Sequence, residues 1–316
     1  MTTRPRYAFL GPAGTFTEAA LRRIASPEEA EYVPVVDVPA ALGAVRAGEV
    51  DFAVVAIENT VEGGVTATLD TLAEGAPLVI LAETVLPVEF ELVARTELAH
   101  GDIARVTAHS HAWAQVRRWA HVTIPQAVFV PASSNAAGAR AIAAGEAIDG
   151  IEVDAALAPP GTAAGLGLHL IEEHVADNEH AATRFVKVGR PAAVPQPTGR
   201  DKTTLTVHLP TDRSGALLEM LEQFAARGIN LSRIESRPRW DRPGEYSFSI
   251  DALGHVAEQR MAEVLMGLRR TCPLVLFLGS YPAASGEPTP VVPGTSDADF
   301  ADARAWVEQL RNGEHA

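Results

Sequence analysis

Short apolar runs that give way to a small-residue turn and then to a helical spacing of apolar positions recur along the first two thirds of the chain. YAFL at 7–10 leads into GPAGTFTEAALRRIA, and DFAVVAIE at 51–58 leads into NTVEGGVTATLDTLAEG. Two such units predict α/β layering with buried parallel strands. Thr15 and Glu18 stand at capping-box spacing, so the first helix is expected to start at Thr15, with its free N–H groups pointing back at the glycine turn as a candidate anion site. The apolar stretch 77–95 has Pro87 midway and many β-branched residues, and reads as two strands or one bent strand crossing between subdomains. Residues 106–120 and 127–145 repeat the order strand, polar turn, helix, and 154–159 and 184–189 are further short strands. Such turns collect outside the carboxyl ends of strands, where open α/β sheets bind ligands.

The pattern changes at 190–202, RPAAVPQPTGRDK, which has three prolines and no apolar periodicity and reads as a linker. Beyond it TTLTVHLP alternates as a strand, Leu217, Met220, Leu221 and Phe224 share one helical face, and Gly228 is placed to end that helix. INLSRIESRPRW and EYSFSIDAL flank DRPG as a hairpin, HVAEQRMAEVLMGLRR is a second helix, and PLVLFLGSYP a last strand. This β-α-β-β-α-β series is the ferredoxin-like order. The expected layout is an α/β domain of two subdomains over 1–192, a linker at 193–202, a ferredoxin-like α+β domain over 203–283, and an acidic, partly mobile tail over 284–316 that holds a short helix.

A length of 316 residues agrees with two or three domains, and 47% hydrophobic with 21% charged residues is ordinary for a globular protein. Charge changes the picture more. The net −14 repels phosphate backbones and anionic membrane surfaces, so no nucleic-acid or membrane partner is expected. The same charge repels an anionic substrate, whose site must therefore gather Arg, hydroxyls and backbone N–H groups locally. Cys272 stands alone, which excludes an intramolecular disulfide and a cysteine-rich zinc site, and points to the cytosol. The ten histidines show no metal-ligand spacing, the N-terminal apolar stretch is too short for a signal peptide, and no uncharged run reaches the ~18 residues of a membrane span.

GPAGTFTEAA, AIENTVEGGVTATLDTL and TRF in the first domain, with GALLEML and ESRP in the second, resemble the prephenate dehydratase family, in the right order over roughly residues 5–283. The resemblance implies a two-lobed catalytic domain like the periplasmic-binding-protein type 2 fold and a C-terminal ACT domain that binds phenylalanine. It implies conversion of prephenate to phenylpyruvate, water and CO2 in phenylalanine biosynthesis, with L-phenylalanine as allosteric effector and a homodimer or homotetramer in the cytoplasm. Because the catalytic pattern begins within ten residues of Met1, the chain resembles the monofunctional form. Loss of carboxylate and hydroxyl makes the substrate ring aromatic, so the driving force lies in the substrate. The enzyme then needs only a donor at the departing hydroxyl and a rigid grip, with no metal or organic cofactor.

By the same resemblance Thr183 is the catalytic threonine, a positioned donor or proton relay, and Arg184 beside it pairs with a substrate carboxylate. Adjacent strand residues point to opposite faces, so this pair requires a strand end or turn. Asn59 and Thr60 are donors to a carboxylate or carbonyl, or close an Asx turn; Gly63 and Gly64 let the backbone approach a ligand, and Glu58 is assigned to structure. Gly11, Pro12, Gly14 and Thr15 form the first turn of the site. HSHAWAQ keeps His109 and Gln115 but departs from the family's SHPQALAQ at Ala108, Ser110 and His111, and Ala181 and Ala182 stand where an Asn precedes TRF, with Asn178 displaced. Ser133, Ser134 and Asn135 form a hydroxyl-bearing turn that binds substrate or caps the next helix.

For the effector, Gly215, Ala216 and Leu217 open a helix whose N–H groups suit an amino-acid carboxylate, with Asn230, Glu235, Ser236, Arg237 and Pro238 on the facing strand segment. Arogenate dehydratase, and a non-catalytic amino-acid sensor built on the same two-lobed fold, are the alternatives to a prephenate dehydratase.

Overall fold

A computed structural model describes residues 4–61, 63–211, 213–239 and 245–314. The hairpin turn expected at DRPG lies outside the described residues. The chain opens with β1 (Arg6–Leu10), α1 (Phe16–Ile24), β2 (Glu31–Val35), α2 (Val38–Ala47), β3 (Phe52–Asn59), the two-residue β4 (Gly63–Gly64), α3 (Thr66–Ala73) and β5 (Val79–Pro87). It crosses at 88–90 to a second sheet, made by β6 (Glu91–Ala94), β7 (Arg105–Ala108), β8 (Val128–Pro131), β9 (Ala155–Ala158) and β10 (His169–Glu172). Between these strands lie α4 (Ser110–Ala114), α5 (Arg117–Thr123), α6 (Asn135–Ala144) and α7 (Thr162–Leu166). The chain returns to the first sheet as β11 (Ala182–Gly189), giving the orders β2-β1-β3-β11-β5, with β4 on β3, and β10-β6-β9-β7-β8. The pairings of β1 with β2 and β3, and of β7 with β8 and β9, are parallel, as the uninterrupted apolar runs predict.

Each lobe has its own core. Tyr7, Phe9, Leu21 and Val54 fill the first, and Leu92, Val106, Ile124 and Leu157 the second. Phe16 at the start of α1 packs against both cores and meets Phe90 edge to face at 5.8 Å between ring centroids. Carboxylates hold the irregular segments. Glu91, 4% exposed, accepts from the N–H groups of Gly161 (3.1 Å) and Ala163 (2.7 Å) at the start of α7. Asp177 accepts from Arg118 and Trp119, which starts α5 afresh and splits into two the single helix expected after the strand end within 106–120.

The third sheet belongs to the C-terminal part: β12 (Asp201–His208), α8 (Ala216–Ala225), β13 (Leu231–Pro238), β14 (Tyr246–Leu253), α9 (Gln259–Thr271) and β15 (Leu274–Pro282), in the antiparallel order β13-β14-β12-β15. Leu205, Val207 and Ile250 on one sheet face pack with Met220 and Phe224 of α8 and Val264 of α9. Cys272 sits at this core, and burial pushes its thiol up and away from reactivity. The other face is polar: Asp251 receives the Thr204 hydroxyl (2.7 Å) and the Arg233 guanidinium (2.9 Å). β12 starts inside the expected linker, because buried Asp201 accepts from Thr198 and Gly199 and fixes the turn that enters the strand. The tail holds α10 (Asp297–Arg311), over the segment where the helix is expected and begun by a Ser296–Asp299 capping box.

By packing, the chain divides into Met1–Thr68 with Thr84–Phe185, and Leu69–Glu83 with Val186–Ala316. Leu69–Glu83 thus joins the later sequence: Glu83 pairs with Lys202 at 3.0 Å and Asp70 with Arg237 at 2.8 Å. A Cβ at Gly279, where φ is +133°, would collide with the Ile80 carbonyl, so this close backbone approach requires glycine.

Candidate active site

One cavity of about 860 Å³ opens among the strand ends of the first unit. Its wall is mostly apolar, from Leu10, Phe16, Val35, Phe90 and Phe185 among others, with a few polar groups from the turns, the usual make-up of a small-molecule site. β3 and β11 deliver the central pair. Asn59 and Thr183 both line the cavity, and the Asn59 amide donates to the Thr183 hydroxyl at 2.8 Å. The Asn59 carbonyl meanwhile accepts from the Val61 N–H at 2.8 Å, so the Asx turn and the site contact coexist on one side chain. Accepting from Asn59 leaves the Thr183 proton to be donated elsewhere.

Alternation along the two strands sends their neighbours away. Arg184, 6% exposed, is not among the residues lining the cavity, and its Nε donates to Glu58 at 3.0 Å. The expected grip of Arg184 on a substrate carboxylate is therefore not what this geometry offers; Glu58 keeps the structural part assigned to it. Thr60 is also outside the lining: its hydroxyl accepts from the Ala182 N–H and its own N–H donates to the Ala182 carbonyl, each at 2.9 Å, clamping β11 to the end of β3.

The first turn contributes surface rather than free N–H groups. Gly11 and Thr15 line the cavity, yet the Gly11 N–H donates to the Val35 carbonyl, and the Thr15 hydroxyl caps α1 by accepting from Glu18 while donating to Leu10. Gly14, at φ +86°, does not line it, and its N–H is taken by the Glu18 carboxylate. Gly64 lies in β4 opposite Glu58, again outside the lining. Gln115 and Ser134 do line it. Gln115 holds the His111 carbonyl through Nε2, while its buried Oε1 has no protein partner among the described residues. Ser134 caps α6 by accepting from Ala137, so lining and capping again coexist.

His109, His111, Ser133 and Asn135 complete the polar wall, with the Asn135 carbonyl receiving the His109 N–H at 2.8 Å. The sequence reading passed over the β2–α2 turn, from which Pro34, Val36, Asp37 and Pro39 line the cavity. Its signal was present: Asp37 caps α2 and proline follows in the first turn of the helix.

In the C-terminal unit a smaller cavity of about 260 Å³ brings Ala216 and Leu217 together with Ser236, Tyr246 and Phe248. Gly215, at φ +87°, precedes the helix. The effector motif on β13 divides by alternation: Ser236 faces this cavity, while Glu235 and Arg237 pair with each other at 3.4 Å and Arg237 holds Asp70. Pro238 pairs in register with Tyr246, and Asn230 contributes its carbonyl to Leu253; neither lines the cavity. Among the described residues no cluster of His, Cys, Asp and Glu is placed to hold a metal, and no helix is long and apolar enough to cross a membrane.

Two α/β lobes around one largely apolar cavity, continued in sequence by a ferredoxin-like domain with a small cavity of its own, define a two-lobed small-ligand protein of the periplasmic-binding-protein type with an ACT-like module. The prephenate dehydratase family model matches residues 7–193 and the ACT domain model residues 203–270. The chain belongs to the prephenate dehydratase family. It is 45% identical to a prephenate dehydratase of Amycolatopsis methanolica, across 98% of this chain and 99% of that one. A crystal structure of prephenate dehydratase in complex with L-Phe from Arthrobacter aurescens matches with a TM-score of 0.90 and 50% identity, over 97% of this chain and 99% of that one. A structure described as a novel type of quorum quenching acylase matches with a TM-score of 0.75 and 28% identity, over 88% and 98%. Fold alone thus spans two named activities, and the relatives of far higher identity are dehydratases.

Proposed function

We propose that this chain converts prephenate to phenylpyruvate, CO2 and water, and that L-phenylalanine regulates it through the ACT domain. The observation that carries the reading is the Thr183 hydroxyl on the cavity wall, oriented by Asn59 so that its proton is available. As the carbon–carbon bond to the ring carboxylate breaks, its electron pair enters the ring and the carbon–oxygen bond to the hydroxyl breaks in turn. A proton taken up at the departing oxygen completes the water. Thr183 is a weak acid, so its part is to donate a hydrogen bond to that oxygen and to relay the proton, and the unpartnered Gln115 Oε1 is an acceptor for a substrate hydroxyl. Asn59 orients Thr183, while Gly11, Thr15 and Ser134 shape the wall. Phenylalanine occupies the small cavity at Ala216, Leu217 and Ser236, with the nearby motif residues Glu235 and Arg237 holding the strand. We assign catalysis to 1–192 and regulation to 203–283, in a cytoplasmic homodimer or homotetramer.

The test is phenylpyruvate formation from prephenate by purified protein, with and without phenylalanine and with arogenate in parallel. Turnover of prephenate altered by phenylalanine is the expected outcome. Preference for arogenate replaces the substrate, and phenylalanine binding without turnover of either makes the chain a sensor.

A further inference from the structure

Four consecutive residues where the chain enters β11 are each held by a different partner. The Ala181 carbonyl accepts from the Val88 N–H at 2.7 Å, Ala182 is bonded to Thr60, Thr183 accepts from Asn59 at 2.8 Å, and Arg184 donates to Glu58 at 3.0 Å. The last three contacts join residues 58–60 to 182–184 in reverse order, and of these pairs only the middle one lines the cavity. Thr60 holds backbone rather than a side chain. Its N–H donates to the Ala182 carbonyl and its hydroxyl accepts from the Ala182 N–H, each at 2.9 Å, so both backbone groups of the residue before Thr183 end on Thr60. Ala181 and Ala182 stand where the family pattern has an Asn, and their methyl groups offer no polar tether of their own. Thr60 is exposed, whereas Ala181 and Arg184 are buried. Losing the Thr60 hydroxyl therefore leaves the Ala182 N–H to water at little cost in stability, yet loosens the strand end that carries Thr183.

We infer that Thr60 is a positioning residue of the dehydratase reaction: without touching the substrate, its hydroxyl holds the Ala182 N–H and with it the register in which Thr183 meets Asn59 and faces the cavity. The inference rests on the dehydratase reading. A donor acts on a departing oxygen only within narrow limits of distance and direction, and a misplacement of about 1 Å can cost about 10²-fold in rate. The Asn59 amide fixes one lone pair of the Thr183 oxygen, but the backbone beneath that oxygen is fixed by the neighbours on either side, Ala182 through Thr60 and Arg184 through Glu58. Slack at Ala182 spoils the aim of the Thr183 proton and leaves the rest of the cavity wall in place. Its effect therefore falls on kcat and not on KM.

Thr60→Val keeps the shape of the side chain and removes the hydroxyl. It is expected to lower kcat about tenfold, with the KM for prephenate and the thermal midpoint nearly unchanged, whereas Thr60→Ser, which keeps the acceptor, should retain the wild-type rate. In a Thr183→Ala background Thr60→Val should lower kcat by less than about twofold, because the hydroxyl that it would misdirect is already gone. Hydrogen exchange at the Ala182 N–H reads the contact without turnover, and should be faster in Thr60→Val and as in wild type in Thr60→Ser. An unchanged kcat in Thr60→Val overturns the inference. So does a loss that Thr60→Ser shares, a loss that appears in KM, or one that multiplies with that of Thr183→Ala. A wild type that does not turn over prephenate brings down the dehydratase reading and the inference with it, while wild-type turnover beside any of the other adverse results overturns the inference alone.

Discussion

A single side chain in this protein commonly serves structure and site together. Asn59 closes its own turn through one amide atom and orients Thr183 through the other, so truncating it disturbs both. Thr183→Ala is expected to lower kcat by about 10²–10³, the scale of one lost transition-state donor, with circular dichroism unchanged and Thr183→Ser recovering much of the loss. Asn59→Ala should cost less, and the double variant little more than Thr183→Ala alone, because Asn59 acts largely through Thr183; kcat values that multiply would separate the two residues. The family resemblance put Thr183, Asn59 and Gln115 among the site residues, and all three line the cavity. Arg184 and Thr60 do not: the sequence shows them adjacent to site residues, while the pleat turns Arg184 to Glu58 and the strand end spends Thr60 on Ala182.

Among the elements, those with strong apolar contrast were visible in the sequence, the edge strands β5, β8, β13 and β15 included, whereas the weakly buried edge strands β2 and β10 were not. β2 contains Pro34 and is only partly buried, because it lies at the edge of its sheet where a missing N–H costs no ladder bond. β10 is likewise an edge strand with half its residues exposed, and α7 has five residues, too few for a periodicity. Long-range carboxylates determine where such weak elements begin. Glu91→Ala strands the buried Ala163 N–H and the neighbouring Gly161 N–H, and is expected to destabilise the protein by about 2–6 kcal/mol, at about 1–3 kcal/mol for each unsatisfied group. Chemical denaturation followed at the second lobe's Trp113 and Trp119 measures it; a loss under about 0.5 kcal/mol would mean that solvent replaces the carboxylate there.

For the whole molecule, the proposed effector site predicts that phenylalanine, by binding the folded chain alone, raises the thermal midpoint with concentration, by about 2.7 kcal/mol of stabilisation at a hundredfold excess over its Kd. Leu217→Asp, placing a carboxylate in the small cavity, should abolish that rise, and an undiminished rise would move the effector elsewhere. The sequence by itself determined the alternation of buried strands and helices, the change to a ferredoxin-like order after 202 and the polar turns that hold the chemistry, because these follow from local periodicity and from residues close together along the chain. Tertiary structure alone decided which of two adjacent side chains faces the cavity, that Leu69–Glu83 packs with the later sequence, and that the described residues of the cavity wall include imidazoles but no guanidinium. Those facts depend on pairing partners distant in sequence, Glu58 with Arg184 and Glu83 with Lys202, and no local pattern encodes such a distance.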